Sequence, residues 1–380
     1  MRFKIPVDEL QGIINILGIT AKVNTLEVAG RILIEATKDS VLFLSNNLST
    51  GISVITDKAE VEEEGKASIV FGKIKSFVSP FTLWDPDKKE GAKYFNFKGD
   101  DRHLTISVRN KFANGKVSNG RVRLDSFNSS SIIKPAYFSK PTFTLSANAF
   151  KAAIGKIMYA VDANCMAPAL RGVCIRFDDD KIRFAGTDGK VLSEYAIDNI
   201  CDLKDGSFVI KVDFMMGLRR FIIPDMELDF ELTDKEIKVK SGSVMFWGRL
   251  LTGMNYPEYT HMFKEYEHEI IIDKGVLMSN LVPLMDVLDP SDSNRVVFKI
   301  EDKKISLYNN VGSFICDCEF SFSKEIIAAL DGTAMFKTID AIKDENISIK
   351  FSDNTLKSFI FDSATYHDQK AIIAPLKTRS

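Results

Sequence analysis

At 380 residues the chain is too long for one ordinary hydrophobic core, and a rule of about 150 residues per domain points to two or three domains. Its 45% hydrophobic and 27% charged residues, with a mean hydropathy of -0.03, exclude a fibrous or disordered chain. Lys and Arg number 50 against 52 Asp and Glu, and this net charge of -2 leaves a nucleic-acid partner open, because a global balance can hide a local asymmetry.

The first third opens with a short alternating strand, Phe3 to Ile5. A helix follows, with Val7, Leu10, Ile14 and Leu17 on one stripe. A hairpin and third strand run from Arg31 to Ile55 around the turn TKDS. A second strand then leads to a shorter helix with Ile74, Phe77 and Val78, and a meander from Tyr94 to Leu124 closes the unit. Periodicity lapses between Ser129 and Pro141, as expected of a linker.

The middle third repeats that order. Phe143 to Leu145 leads to a helix with Phe150, Ile154, Ile157 and Val161, for which Ser146 is a plausible N-cap. Strands from Arg171 to Ile197 turn at FDDDK, a helix carries Met215, Leu218 and Ile222, and a meander spans Leu228 to Leu251. After a second lapse between Tyr259 and Glu269 the last third gives Ile270 to Ile272, then a helix with Leu277, Leu281, Leu284 and Leu288, capped by Asp273. Arg295 to Phe320 turns at EDKK, Met335, Ile339 and Ile342 mark a helix, and Ile347 to Leu376 forms the last meander.

One unit is thus written three times, which predicts an α+β fold with helices segregated on one side of antiparallel sheets. The predicted domains are residues 1–135, 136–264 and 265–380. No run reaches the roughly 18 to 20 apolar residues of a membrane span, and MRFKIPVDEL lacks the apolar core of a signal peptide, so the chain is expected in the cytoplasm with no membrane partner. The odd count of five cysteines (Cys165, Cys174, Cys201, Cys316, Cys318), mostly within apolar runs, suits buried thiols in a reducing compartment.

Catalytic patterns are missing. His103, His261, His268 and His367 stand in no HExxH or His-x-His arrangement, so no metal site is expected. Cys316 and Cys318 share one face of a predicted strand and read better as buried thiols than as a metal pair. No GxxxxGK[ST] or GxGxxG loop follows a strand, and no cofactor is expected. Asp178 to Asp180 sit at a hairpin tip, where a solvated turn is the better reading than a metal cluster, and Glu62 to Glu64 read as a solvated face.

At RGVCIRFDDDKIRFAGTDGKVLSEYAI (Arg171 to Ile197) the sequence resembles the bacterial beta sliding clamps, the processivity subunits of DNA polymerase III. The likeness continues through MNYPEYTHMF (Met254 to Phe263) and AIIAPLK (Ala371 to Lys377), and is weakest in the first third. It implies three tandem clamp domains that form half of a six-domain, head-to-tail homodimeric ring, without enzymatic activity. Such a ring encircles double-stranded DNA without sequence preference, and it binds polymerase and clamp loader through short linear peptides.

The resemblance places a partner-peptide pocket at Leu170, Thr187, Gly189, Lys190, Val191, Leu192, Pro257, Met262, Ile372, Ala374, Pro375 and Leu376. Lys190 and Val191 stand where the family commonly has His-Arg, and Ala374 where a Met is common before the terminal Pro, so the preferred peptide is expected to differ. Thr378 to Ser380 run past the usual stop. Divergence of this kind suits a phage-encoded or otherwise specialised clamp.

The same resemblance turns the helices toward DNA and assigns that face to Lys22, Lys73, Lys75, Lys151, Lys156, Arg219, Arg220 and Lys337, with Lys343 nearby. For any one of them, plain solvation of an exposed helix is an equal reading. Ring closure falls to Val122 and Leu124 on an edge strand and to Val287 and Leu288 after the first helix of the last domain. Intradomain core is the alternative for these four. A scaffold that binds peptides without encircling DNA is the alternative for the whole chain, and a monomer in solution would favour it.

Overall fold

In the computed structural model, which describes residues 1–21, 30–47, 49–100, 102–264, 266–318 and 320–377, the alternating runs are strands and the three- and four-step runs are helices. The chain divides into two compact units, Met1–Ala147 with Met216–Arg249, and Asn148–Met215 with Leu250–Ser380.

The first unit holds β1 (Arg2–Pro6), α1 (Val7–Leu17), β2 (Arg31–Ala36), β3 (Val41–Asn46), β4 (Thr50–Thr56), β5 (Glu60–Glu63), β6 (Gly65–Val70), α2 (Phe71–Val78), β7 (Gly91–Gly99), β8 (His103–Lys111), β9 (Val117–Asp125) and β10 (Phe143–Ser146). Helix α3 (Ala147–Ile157) leads the chain into the second unit, with β11 (Gly172–Phe177), β12 (Lys181–Thr187), β13 (Val191–Asp198) and β14 (Gly206–Lys211). Helix α4 (Val212–Phe221) returns it to β15 (Glu227–Leu232), β16 (Glu236–Ser241) and β17 (Val244–Arg249).

A five-stranded antiparallel sheet, β5-β1-β7-β8-β9, and an eight-stranded one, β10-β15-β16-β17-β4-β3-β2-β6, build the first unit. β17 lies beside β4, so four strands of the middle third extend four of the first. Val7, Leu10, Ile13, Ile14 and Leu17 of α1 are buried, because steps of three and four return each to one face, and α1 packs on β1, β3, β4 and β7. Phe3 stacks on Phe97 with ring centres 4.5 Å apart and meets Phe43 edge-on at 6.4 Å. The run of glutamates read as a solvated face is in part strand: β5 pairs with β1, and Glu60 and Glu62 pair with Lys4 at 2.6 Å and Arg2 at 2.9 Å.

The rest of the second unit is β18 (His268–Asp273), α5 (Lys274–Met285), β19 (Arg295–Glu301), β20 (Lys304–Tyr308), β21 (Ser313–Asp317), β22 (Ile326–Asp331), α6 (Gly332–Ala341), β23 (Asn346–Phe351), β24 (Phe359–Ser363) and β25 (Gln369–Ile373). Its sheets run β14-β11-β12-β13-β25-β24-β23-β18 and β21-β20-β19-β22. The junction of β13 with β25 joins the middle third to the last as β17 with β4 joins the first to the middle.

Leu277, Leu281 and Leu284 of α5 are fully buried, each worth about 1.5–3 kcal/mol of transfer free energy. Asp273 caps α5 by accepting from the Val276 N–H at 2.8 Å, and α6 has its own cap in Asp331, which accepts from Thr333 and Ala334 at 2.9 and 3.1 Å. All five cysteines are free thiols, and burial pushes Cys174 to about 12 and Cys316 to about 11. Among the described residues no helix is long and apolar enough to cross a membrane.

Candidate functional site

The turn between β12 and β13 is built around Thr187 and Asp188. The Thr187 hydroxyl donates to the Val191 carbonyl at 2.6 Å and accepts from the Gly189 N–H at 3.0 Å. Asp188 accepts from the Lys190 and Val191 N–H groups, both at 2.8 Å. Gly189 has φ +91°, a conformation that any Cβ would strain. Ala374 donates its N–H to the Lys190 carbonyl at 2.9 Å, which fastens the chain after β25 to this turn.

Because strand side chains alternate, the sheet here has two different faces. Leu192 and Ile372 lie directly opposite each other and join Cys174, Ala185, Val209, Tyr259 and Ile360 in one buried cluster, against which Leu251, Tyr256, Phe263 and Tyr266 pack. Val191 and Ile373, also paired, belong to the core around α5 and α6 on the opposite side. On that side Lys190, Val191, Ala374, Pro375 and Leu376 border a cavity of about 330 Å³ together with Tyr159, Asp188, Asp331 and Lys337. Of the twelve expected pocket residues, Leu192 and Ile372 thus lie in one cluster, while Lys190, Val191, Ala374, Pro375 and Leu376 border the cavity on the other side.

The wall of the first cluster comes from the segment around Tyr256–Tyr259. Tyr256 meets Tyr259 edge-on at 6.2 Å, and Tyr259 meets Phe263 at 6.3 Å. Glu258 accepts from Arg176 at 3.1 Å and from the Thr260 hydroxyl at 2.6 Å, which holds the segment on the β11–β12 hairpin. Arg176 also reaches Asp178 at 3.1 Å, and Arg183 bridges Asp178 at 2.5 Å and Glu194 at 3.1 Å. Asp178 is thus an acceptor between two guanidinium groups, which the bare acidic triplet did not announce. Pro257 and Met262 are exposed, the latter 41%, while Leu170 is buried.

Of the expected DNA-facing cations, Lys73 and Lys75 on α2, Lys151 on α3, Arg219 and Arg220 on α4 and Lys337 on α6 are exposed, as is Lys343 just beyond α6. Arg219 and Arg220 occupy the last turn of their helix, where positive charge complements the macrodipole. Lys22 lies outside the described residues, as do Thr378 to Ser380. Lys156 requires a correction. It is 6% exposed, its ammonium 3.3 Å from Asp368 and 3.9 Å from the centre of the Tyr195 ring, so it presents no charge to a solvent-borne phosphate. The helical period puts Ala153, Ile157 and Lys156 on neighbouring positions, and the fold buries all three.

Among the described residues β9 is an outer strand of its sheet, paired with β8. Leu124 on it is already 5% exposed within this chain, and Val122 is intermediate. Val287 is 38% exposed, and Leu288 packs against the core around α5 and α6. Among the described residues no three His, Cys, Asp or Glu side chains are grouped as metal ligands.

A sequence model of the DNA polymerase III beta subunit, central domain, matches residues 144–258. A beta sliding clamp of Chlamydia pneumoniae is 22% identical over 373 residues, with 96% of each chain covered. Among solved structures, a sliding clamp (DNA polymerase III subunit beta) of Pseudomonas aeruginosa bound to griselimycin superposes with a TM-score of 0.87 at 13% identity. The DNA polymerase sliding clamp of Bacillus subtilis does so at 0.87 and 15%, and both cover 100% of each chain. The central-domain match covers residues 144–258, and over its whole length the chain has the fold of the bacterial beta sliding clamps it is similar to.

Proposed function

We propose that the chain is a DNA sliding clamp, a non-catalytic ring subunit of the cytoplasm that encircles duplex DNA and tethers the replicative polymerase to it. The observation that carries this reading is a fold shared with sliding clamps over 100% of the chain, combined with the central-domain match at residues 144–258. Three domains, at residues 1–135, 136–264 and 265–380, make half of a six-domain ring closed by a second copy. The two eight-stranded sheets support that division, since each joins strands of successive thirds edge to edge.

Exposed cations on α2, α3, α4 and α6 supply a sequence-blind attraction for phosphates. Retention comes from the closed ring, so these interactions can be weak and the clamp can slide. Polymerase and clamp loader dock through linear peptides on the face of the β13–β25 seam that carries Leu192 and Ile372, beside the segment that exposes Pro257 and Met262, where apolar anchors meet an aromatic wall.

The reading is tested by assembling the protein on nicked circular DNA, washing in high salt, and then cutting the circle. A clamp stays on the circle and leaves the linear product. Retention on the linear DNA, or loss from the intact circle in the wash, would refute it.

A further inference from the structure

Lys156 joins the two strands of the seam beneath the proposed pocket. Its ammonium binds Asp368, one residue before β25, and lies over the ring of Tyr195 on β13. Its carbonyl accepts from Ser193 of β13 at 2.9 Å and from Gln369 of β25 at 3.5 Å. Ser193, Gln369 and Lys156 are all buried, and Asp368 is tied to β13 a second time by the Ala196 N–H at 2.8 Å. A single residue of α3 thus touches both strands of the junction, reaching Asp368 from 212 positions away in sequence.

As a source of stability such a pair is poor. Burial disfavours the Lys156 charge, Asp368 favours it, nearby Lys343 opposes it, and the balance lowers its proton affinity. Buried ion pairs often contribute less than apolar side chains of equal volume, and their best-attested use is to fix register. The seam has a register to fix. At one end of the seam Val191, Leu192, Ile372 and Ile373 are all apolar, so the apolar pattern there does not by itself distinguish the two faces. A one-residue slip would carry the half-buried Asp368 about 3.4 Å along the strand and leave the buried Lys156 ammonium without its partner.

We propose that Lys156 is a positioning residue: by binding Asp368 across the β13–β25 seam it sets the register that places Leu192 beside Ile372. Its consequence for partner binding rests on the pocket reading above, whereas its consequence for the seam does not.

The test compares the full chain with Lys156→Met, Asp368→Asn and the double variant, by hydrogen exchange and by binding of griselimycin as the probe. Lys156→Met is expected to exchange about tenfold faster at β13 and β25 amides, with β11 and β23 unchanged, and to bind the probe about tenfold more weakly. The double variant, freed of a stranded charge, should regain melting temperature but neither seam protection nor affinity. Should Lys156→Met fail to fold, Asp368→Asn, which leaves the ammonium over Tyr195, gives the same local pattern. Unchanged seam exchange, or recovery of protection together with melting temperature in the double variant, overturns the proposal. A wild-type chain that ignores griselimycin while the exchange results hold would sink the pocket reading and leave the register role standing.

Discussion

Leu192 on β13 stands directly opposite Ile372 on β25, while their neighbours Val191 and Ile373, equally paired, point into a different core. The consequence for the proposed partner site is one rigid floor and one adjustable wall. Leu192 is 4% exposed and Ile372 2%, so both are fixed by the sheet, whereas Met262 is 41% exposed on the neighbouring segment.

Met262→Ala should therefore weaken griselimycin binding about tenfold with a change in stability of at most about 0.5 kcal/mol. Leu192→Ala should weaken binding as well, but at a folding cost of about 2–4 kcal/mol, since it empties space in a packed cluster. Fluorescence anisotropy and thermal melting on the same samples separate the two. Unaltered affinity in Met262→Ala would remove Met262 from the site.

Ring closure makes a second distinction. Val287 is 38% exposed in the single chain and Leu124 only 5%, so equal substitutions at the two should behave differently. Val287→Asp is expected to give a folded monomer by analytical ultracentrifugation. Leu124→Asp should instead lose more than about 3 kcal/mol, because it buries a charge against β8. A Val287→Asp protein that remains a dimer would take Val287 out of the interface.

DNA affinity offers a third test, read as salt dependence. Every phosphate that the protein ceases to neutralise lowers the steepness of log K against log salt by about 0.9, so Arg219→Gln with Arg220→Gln should flatten the line measurably. Lys156→Met should leave the slope alone, because its ammonium is committed to Asp368. Identical slopes for wild type and the arginine variant would show that α4 does not meet DNA.

Much of this was legible in the sequence because alternation and helical period are local. The turns TKDS, FDDDK and EDKK each separate two paired strands, and Asp273 caps its helix as its position suggests. Val191 and Leu192 show what strand parity adds to resemblance: consecutive strand residues point to opposite faces, and the two side chains join different cores. Lys156 was beyond local reading for the opposite reason. Its burial depends on Asp368, far away in the chain, and a lysine at that helical phase reads like the exposed Lys151. The role of Asp178 as acceptor for Arg176 and Arg183 was equally hidden, since charged residues on a hairpin suit solvent as well as one another.

Asp344 gives the last prediction. It is 9% exposed, just before β23, and its carboxylate accepts from the Thr365 N–H at 2.6 Å and the Ser363 hydroxyl at 2.9 Å. Burial alone would push its pKa up, but donation from Thr365 and Ser363 outweighs it and holds the group at about 2, below its ordinary 3.8. A depressed carboxylate stabilises the fold fully above its unfolded pKa and loses that contribution as pH falls through the folded value. Between about pH 4 and pH 2 the wild-type melting temperature should therefore drop more steeply than that of Asp344→Asn, which cannot titrate. At pH 7 the order should reverse in favour of wild type, because the neutral amide is a weaker acceptor and brings donors of its own to a site already supplied with them. Parallel acid limbs in the two proteins would mean that Asp344 does not control the acid stability of the β23–β24 region.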